Sequence, residues 1–128
     1  MKSRRIRLTD DTRGLLDRYI NALLTRDWQW ESTYGQSVSS KVFLHGDRPS
    51  YDVFMYLLTP ALDFAADGDL YYRASYAARS ALLHPLCPPD LLARASVSPV
   101  MEYRTIAMQH PNCPEAAAVA VALSRGTA

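Results

Sequence analysis

His84-Pro85-Leu86-Cys87-Pro88 and His110-Pro111-Asn112-Cys113-Pro114 are two copies of one pentapeptide, 26 residues apart. The residue before a proline is pushed out of the α region, so each copy ends the helix that precedes it. The second proline, with φ already set near the helical value, suits the first turn of the helix that follows. The motif therefore reads as a corner between two short antiparallel helices, and it occurs twice.

The flanks agree with that reading. Arg79 and Arg104 lie on the helices upstream of the two corners, and Leu91-Leu92-Ala93-Arg94-Ala95 and Ala116-Ala117-Ala118-Val119-Ala120 follow them. Gly68 is expected to stop one helix and Asp69 to cap the next. Leu70, Ala74, Ala77, Ala78, Ala81 and Leu82 then trace a narrow stripe of mostly small side chains that lets helices approach closely. A fainter third unit is expected at Thr59-Pro60-Ala61-Leu62-Asp63, with Pro60 lying 28 residues before Pro88 and starting a short helix.

Toward the amino terminus, a first helix is expected from about Thr9 or Asp10 to Arg26. A capping oxygen and two acids suit its start, and Leu15, Leu16, Tyr19, Ile20, Leu23 and Leu24 share one stripe. Another helix should open at Ser50 and end before Pro60, burying Val53, Phe54, Leu57 and Leu58. Between them, residues 27–49 lose the helical period. They hold Trp28, Trp30, Tyr34 and Gly35 in a serine-rich stretch, and Val42 to His45 alternate as in a weak hairpin. This stretch is expected to be irregular or a small β-hairpin, long enough that such a connection suggests function.

The repeated proline, cysteine and proline of the corners resemble the leucine-rich repeat variant family, over about residues 70–124. The resemblance implies short helix pairs stacked into an armadillo-like superhelix and a curved surface for partners. Histidine stands where that family has asparagine, and the repeat here is slightly longer. Some members carry a cysteine-rich iron–sulfur segment ahead of the repeats. No cysteine precedes Cys87 here, so no such cluster is implied. The expected fold is all-α: one domain over 1–128, with helical repeats over 50–128 stacked as a small α-solenoid of armadillo or HEAT type, and a helix plus an aromatic segment over 1–49.

Composition narrows the function. The chain has 128 residues, 48% hydrophobic and 21% charged, with a net charge of +1. That balance supplies no general field for a nucleic-acid backbone or an anionic membrane. Lys2, Arg4, Arg5 and Arg7 form a local basic cluster at the start, read first as a solvated terminus. No apolar run approaches the ~18 residues of a membrane span, and a cytoplasmic location is expected.

Two histidines and two cysteines in the corners make a complete zinc set by type. Equivalent positions in stacked units, however, stand about 8–10 Å apart, whereas zinc holds sulfur at about 2.3 Å. The same separation exceeds the ~4.4–6.8 Å that a disulfide spans between Cα atoms. Cys87 and Cys113 therefore read as reduced, buried fillers. His84 and His110 read as caps bonding carbonyls at the end of the preceding helix, with a partly protonated ring suited to the dipole. His45-Gly46-Asp47-Arg48 reads as a turn. No catalytic, cofactor or metal residues are assigned.

The expected function is a non-enzymatic module binding another protein, with Trp28, Trp30, Tyr34 and Tyr51 as an aromatic anchor and Arg73 and Arg94 beside it. The first alternative is nucleic-acid binding by arginines on one face (Arg73, Arg79, Arg94, Arg104) and the basic start. The second is a metal-binding or enzymatic domain using the corner histidines and cysteines.

Overall fold

The computed structural model describes residues 4–44, 46–66 and 74–114, and is mostly helical. In chain order it has β1 (Arg5–Ile6), α1 (Asp10–Leu24), α2 (Trp28–Val42), β2 (Arg48–Pro49), α3 (Tyr51–Ala66), α4 (Tyr76–Leu83), α5 (Pro89–Ser96) and α6 (Met101–Gln109). The Gly68 stop, the Asp69 cap, Leu70, Arg73, His45 and the apolar run after Pro114 lie outside the described residues.

The α1 helix starts as its sequence requires. Thr9 caps it by accepting from the Thr12 N–H, and Asp10 and Asp11 occupy the positive end. Leu16, Tyr19, Ala22 and Leu23 are buried.

Residues 27–49 correct the expectation of an irregular or hairpin insert. Asp27 accepts from the Trp30 N–H and opens α2, which runs 15 residues. Its buried members, Glu31, Gly35, Val38 and Val42, do keep a helical period. Two of the four are a carboxylate and a glycine, so no apolar stripe marks it. Gly35 has a packing role, because a Cβ there would stand 3.5 Å from the Ala77 N, 3.6 Å from the Tyr76 Cβ and 3.7 Å from the Tyr19 ring. Instead of a hairpin, β2 pairs in parallel with β1, Arg5 opposite Arg48 and Ile6 opposite Pro49.

Pro60 also corrects its expected role. It neither ends a helix nor starts a third unit, but sits inside the 16-residue α3. An interior proline costs about 3 kcal/mol. Here Val53, Phe54, Leu57 and Leu58 before it and Ala61 and Leu62 after it are all buried, and one continuous face in the core outweighs that cost. The α4 helix likewise opens later than its small-residue stripe suggests, at Tyr76, with Ser75 before it.

Contacts between helices follow two rows. α2 packs on α4 and α4 on α6, while α1 packs on α3 and α3 on α5; α1·α2, α3·α4 and α5·α6 join the rows. One cluster of buried residues reaches all six helices, from Leu16 and Val38 through Phe54 and Ala77 to Leu91 and Tyr103. Polar bridges tie neighbours within a row: Ser39 to Ser80 at 2.8 Å, Arg79 to Glu102 at 2.9 Å, Tyr56 to Asp17 and Arg94 to Asp63.

Candidate functional site

The corners are built from their prolines and closed by their histidines. His84 ends α4 with ψ at 136°, outside the helical range as Pro85 demands. The chain turns as the Cys87 N–H reaches back to the His84 carbonyl at 3.0 Å. Pro88 stays extended with ψ at 143°, and Pro89 provides the first turn of α5; the expectation that Pro88 itself opens that helix is corrected by one residue. The second corner repeats the turn, with the Cys113 N–H on the His110 carbonyl at 3.1 Å.

Each imidazole is held at both nitrogens. His84 Nδ1 accepts from the Leu86 N–H at 3.0 Å, and His110 Nδ1 accepts from the Asn112 N–H at 3.0 Å. A ring nitrogen that accepts from an amide carries no proton, so Nε2 is the N–H in both. His84 Nε2 donates to the Asp47 carbonyl at 2.9 Å. His110 Nε2 donates to the His84 carbonyl at 2.8 Å. The histidines therefore bond main-chain carbonyls of an earlier turn of the chain, not the end of their own helix as expected. They bond as neutral rings rather than as cations on a dipole. Burial lowers the His84 pKa, with the Asp47 carbonyl and carboxylate opposing the shift.

Phe43 completes the series. It is the residue that ends α2, as His84 ends α4 and His110 ends α6. Its ring lies 6.2 Å from that of His84, edge to face, with Phe54 at 5.6 Å from the same imidazole. The turn around Gly46 and Asp47 thus lies in front of His84. Gly46 there has φ at 93°, the left-handed conformation glycine adopts without strain, and the Asp47 N–H closes the turn on the Leu44 carbonyl at 2.9 Å. The Asp47 carboxylate pairs with Arg4 at 3.0 Å.

Between this turn and the first corner lies an open groove of about 550 Å³, lined by Phe43, Asp47, Arg48, Leu83, His84 and Leu86 among others. Leu83 is 63% exposed and Leu86 48%. Sequence reasoning read Leu86 as part of a corner, Phe43 as part of a weak hairpin and Asp47 as part of a turn, did not single out Leu83, and did not bring the four together. The one available signal was the mismatch between the copies, where Leu86 takes the place of Asn112.

The residues singled out from the sequence do not form one surface. Trp28 packs edge-on against Phe64 of α3, while Trp30 stacks on Tyr34 at 5.3 Å and is 47% exposed. Tyr51 lies at the other end of α3, bonded to Asp90, whose carboxylate raises the phenol's pKa. Arg94 is spent on Asp63. The expected arginine face is likewise engaged, with Arg79 on Glu102 and Arg104 on the Ser98 carbonyl.

Cys87 and Cys113 are free, buried thiols. Burial pushes the Cys87 thiol up to about 12, with Asp90 and Cys113 adding to it, which keeps it protonated and unreactive. His84 has no lone pair left to act as its base or to hold a metal. Among the described residues no three His, Cys, Asp or Glu side chains cluster as a metal site, and no helix is long and apolar enough to cross a membrane.

No family model, curated protein or solved structure matches the chain.

Proposed function

We propose that this chain is a short helical-repeat module of the α-solenoid type that binds another protein at the groove between the turn at Gly46–Asp47 and the first corner. The observation that carries this reading is the pair of exposed leucines, Leu83 and Leu86, over a floor of Phe43 and His84. Exposed large apolar side chains around a concavity, rimmed by polar groups, mark interaction sites. The two rows of helices and the bonds from corner to corner supply the rigid frame such a site needs. The contact is apolar in character, since Arg79, Arg94 and Arg104 are engaged within the molecule.

Affinity capture from the native cell tests it. Leu83→Asp with Leu86→Asp is expected to lower recovery of the captured protein more than tenfold with helicity unchanged, whereas Trp30→Ala leaves it intact. Recovery should persist at high salt, where a phosphate-based contact falls steeply. Capture that survives the double variant and is lost with Trp30→Ala transfers the site to the Trp30 and Tyr34 stack.

A further inference from the structure

The two short strands bring two arginines together. Arg5 stands opposite Arg48 and Ile6 opposite Pro49, and opposed positions of neighbouring strands put their side chains on one face, about 4.8 Å apart at the backbone. Pro49 is buried and Ile6 packs against the core. Arg5 and Arg48 therefore share the outward face, where both are exposed. The Arg48 N–H on the Arg4 carbonyl at 2.7 Å and the Ser50 N–H on the Ile6 carbonyl at 2.8 Å fix this register.

Two cations on one face at this spacing repel. Among the described residues neither guanidinium has an ion pair or a side-chain hydrogen bond. The Asp47 carboxylate, next to Arg48 in the chain, is held by Arg4 at 3.0 Å, and its side chain is only 10% exposed. Arg79 and Arg94, by contrast, each hold a carboxylate of their own.

Arg48 also lines the groove that Leu83 and Leu86 border, so the paired cations flank an apolar seat. The main-chain donors around that seat are used internally: the Asp47 N–H by the Leu44 carbonyl, the Leu86 N–H by His84 Nδ1 and the Cys87 N–H by the His84 carbonyl. Phosphate groups are cradled by several free amides, whereas carboxylates are matched by planar guanidinium forks. The exposed side chains beside the cations are leucines, not the aromatic platforms on which nucleic-acid bases stack.

We infer that Arg5 and Arg48 are the charged half of this groove, and that its occupant is a protein segment carrying carboxylate side chains next to an apolar one. The carboxylates meet the two guanidiniums, and the apolar side chain sits between Leu83 and Leu86. The inference rests on the groove reading above and gives its partner a chemistry. Exposed ion pairs contribute little and are screened by salt. The arginines thus select the partner, while the leucines hold it.

Short peptides with one core, Leu-Ser-Leu, flanked on both sides by glutamate, glutamine, lysine or phosphoserine, are titrated into the isotope-labelled full chain. The glutamate peptide is expected to bind about tenfold tighter than the glutamine peptide, as two exposed pairs allow, with the lysine peptide weakest. It should shift the Leu83 and Leu86 methyl signals together with the Arg5 and Arg48 side-chain N–H signals. High salt should erase the preference without removing the methyl shifts. Arg5→Gln with Arg48→Gln should erase it too, at a melting temperature unchanged or raised, because a repulsion is relieved; a lowered one marks the arginines as structural and overturns the inference. Glutamate and glutamine peptides bound equally, and both lost with Leu83→Asp and Leu86→Asp, overturn it while the groove reading stands. Phosphoserine bound where glutamate is not overturns it in favour of a phosphorylated partner. Methyl signals that no peptide shifts overturn the groove reading and this inference together.

Discussion

Phe43, His84 and His110 end successive helices of one row, and the change from phenyl to imidazole follows what each has to bond. His84 has the Asp47 carbonyl in front of it and His110 has the His84 carbonyl. The neutral form is required, since Nδ1 accepts from an amide, and burial lowers the His84 pKa. The unfolded chain, with an ordinary value of about 6.5, then takes up the proton first. The His84 contribution is full above that value and is lost as the pH falls below it, toward the lowered folded value. Urea unfolding should show stability level above neutrality and declining below pH about 6.5, by at most about 1.4 kcal/mol per pH unit from this group. His84→Gln should flatten that decline while costing about 1–3 kcal/mol at neutral pH, because the Leu86 N–H loses its acceptor. A decline unchanged in the variant would assign the pH dependence to other groups.

At the scale of elements, α2 and α3 are decided by packing against local signals that oppose it. Gly35 lies mid-helix at the approach to α4, and a methyl group there would meet its neighbours at ordinary contact distances of 3.5 to 3.7 Å. Gly35→Ala is expected to stabilise by about 0.5–1 kcal/mol through reduced backbone entropy. Gly35→Leu has no room for its further carbons and should destabilise by about 1–3 kcal/mol by wedging α2 from α4. Thermal unfolding of the two variants checks the pair, and a destabilising alanine would show that the helices approach more closely than described. Pro60 is the converse case, a helix breaker carried by the buried residues on both sides of it. The first helix, the two corners and α5 were legible because cap, proline and apolar period all agreed. In α2 the buried period includes Glu31 and Gly35, which no hydropathy pattern registers.

At the scale of the whole molecule, the three ion pairs among the described residues are surface bridges. Arg4 with Asp47, Arg79 with Glu102 and Arg94 with Asp63 each keep at least one side chain more than a third exposed. Exposed pairs contribute about 0–1 kcal/mol and are screened by salt. The melting temperature should therefore move by no more than a few degrees between low and high ionic strength, as about 1 kcal/mol shifts a domain of this size by roughly 4 °C. A fall well beyond that range would show that these bridges, rather than the buried cluster running from α1 to α6, hold the rows together.

By itself the amino-acid order determined that the chain is helical, that it turns twice at the same proline-bounded bend, and that its thiols are interior. These properties depend on neighbours along the chain: a proline restricts the residue before it and a period of 3.6 selects a face. Only the tertiary structure decided that Asp47 would lie before His84, that Phe43 would take the histidine position, and that Leu83 and Leu86 would border a groove. The Asp47–His84 pairing joins residues 37 apart in the chain, and the acceptor is a main-chain carbonyl, which every residue carries. Residue identity alone therefore could not mark it.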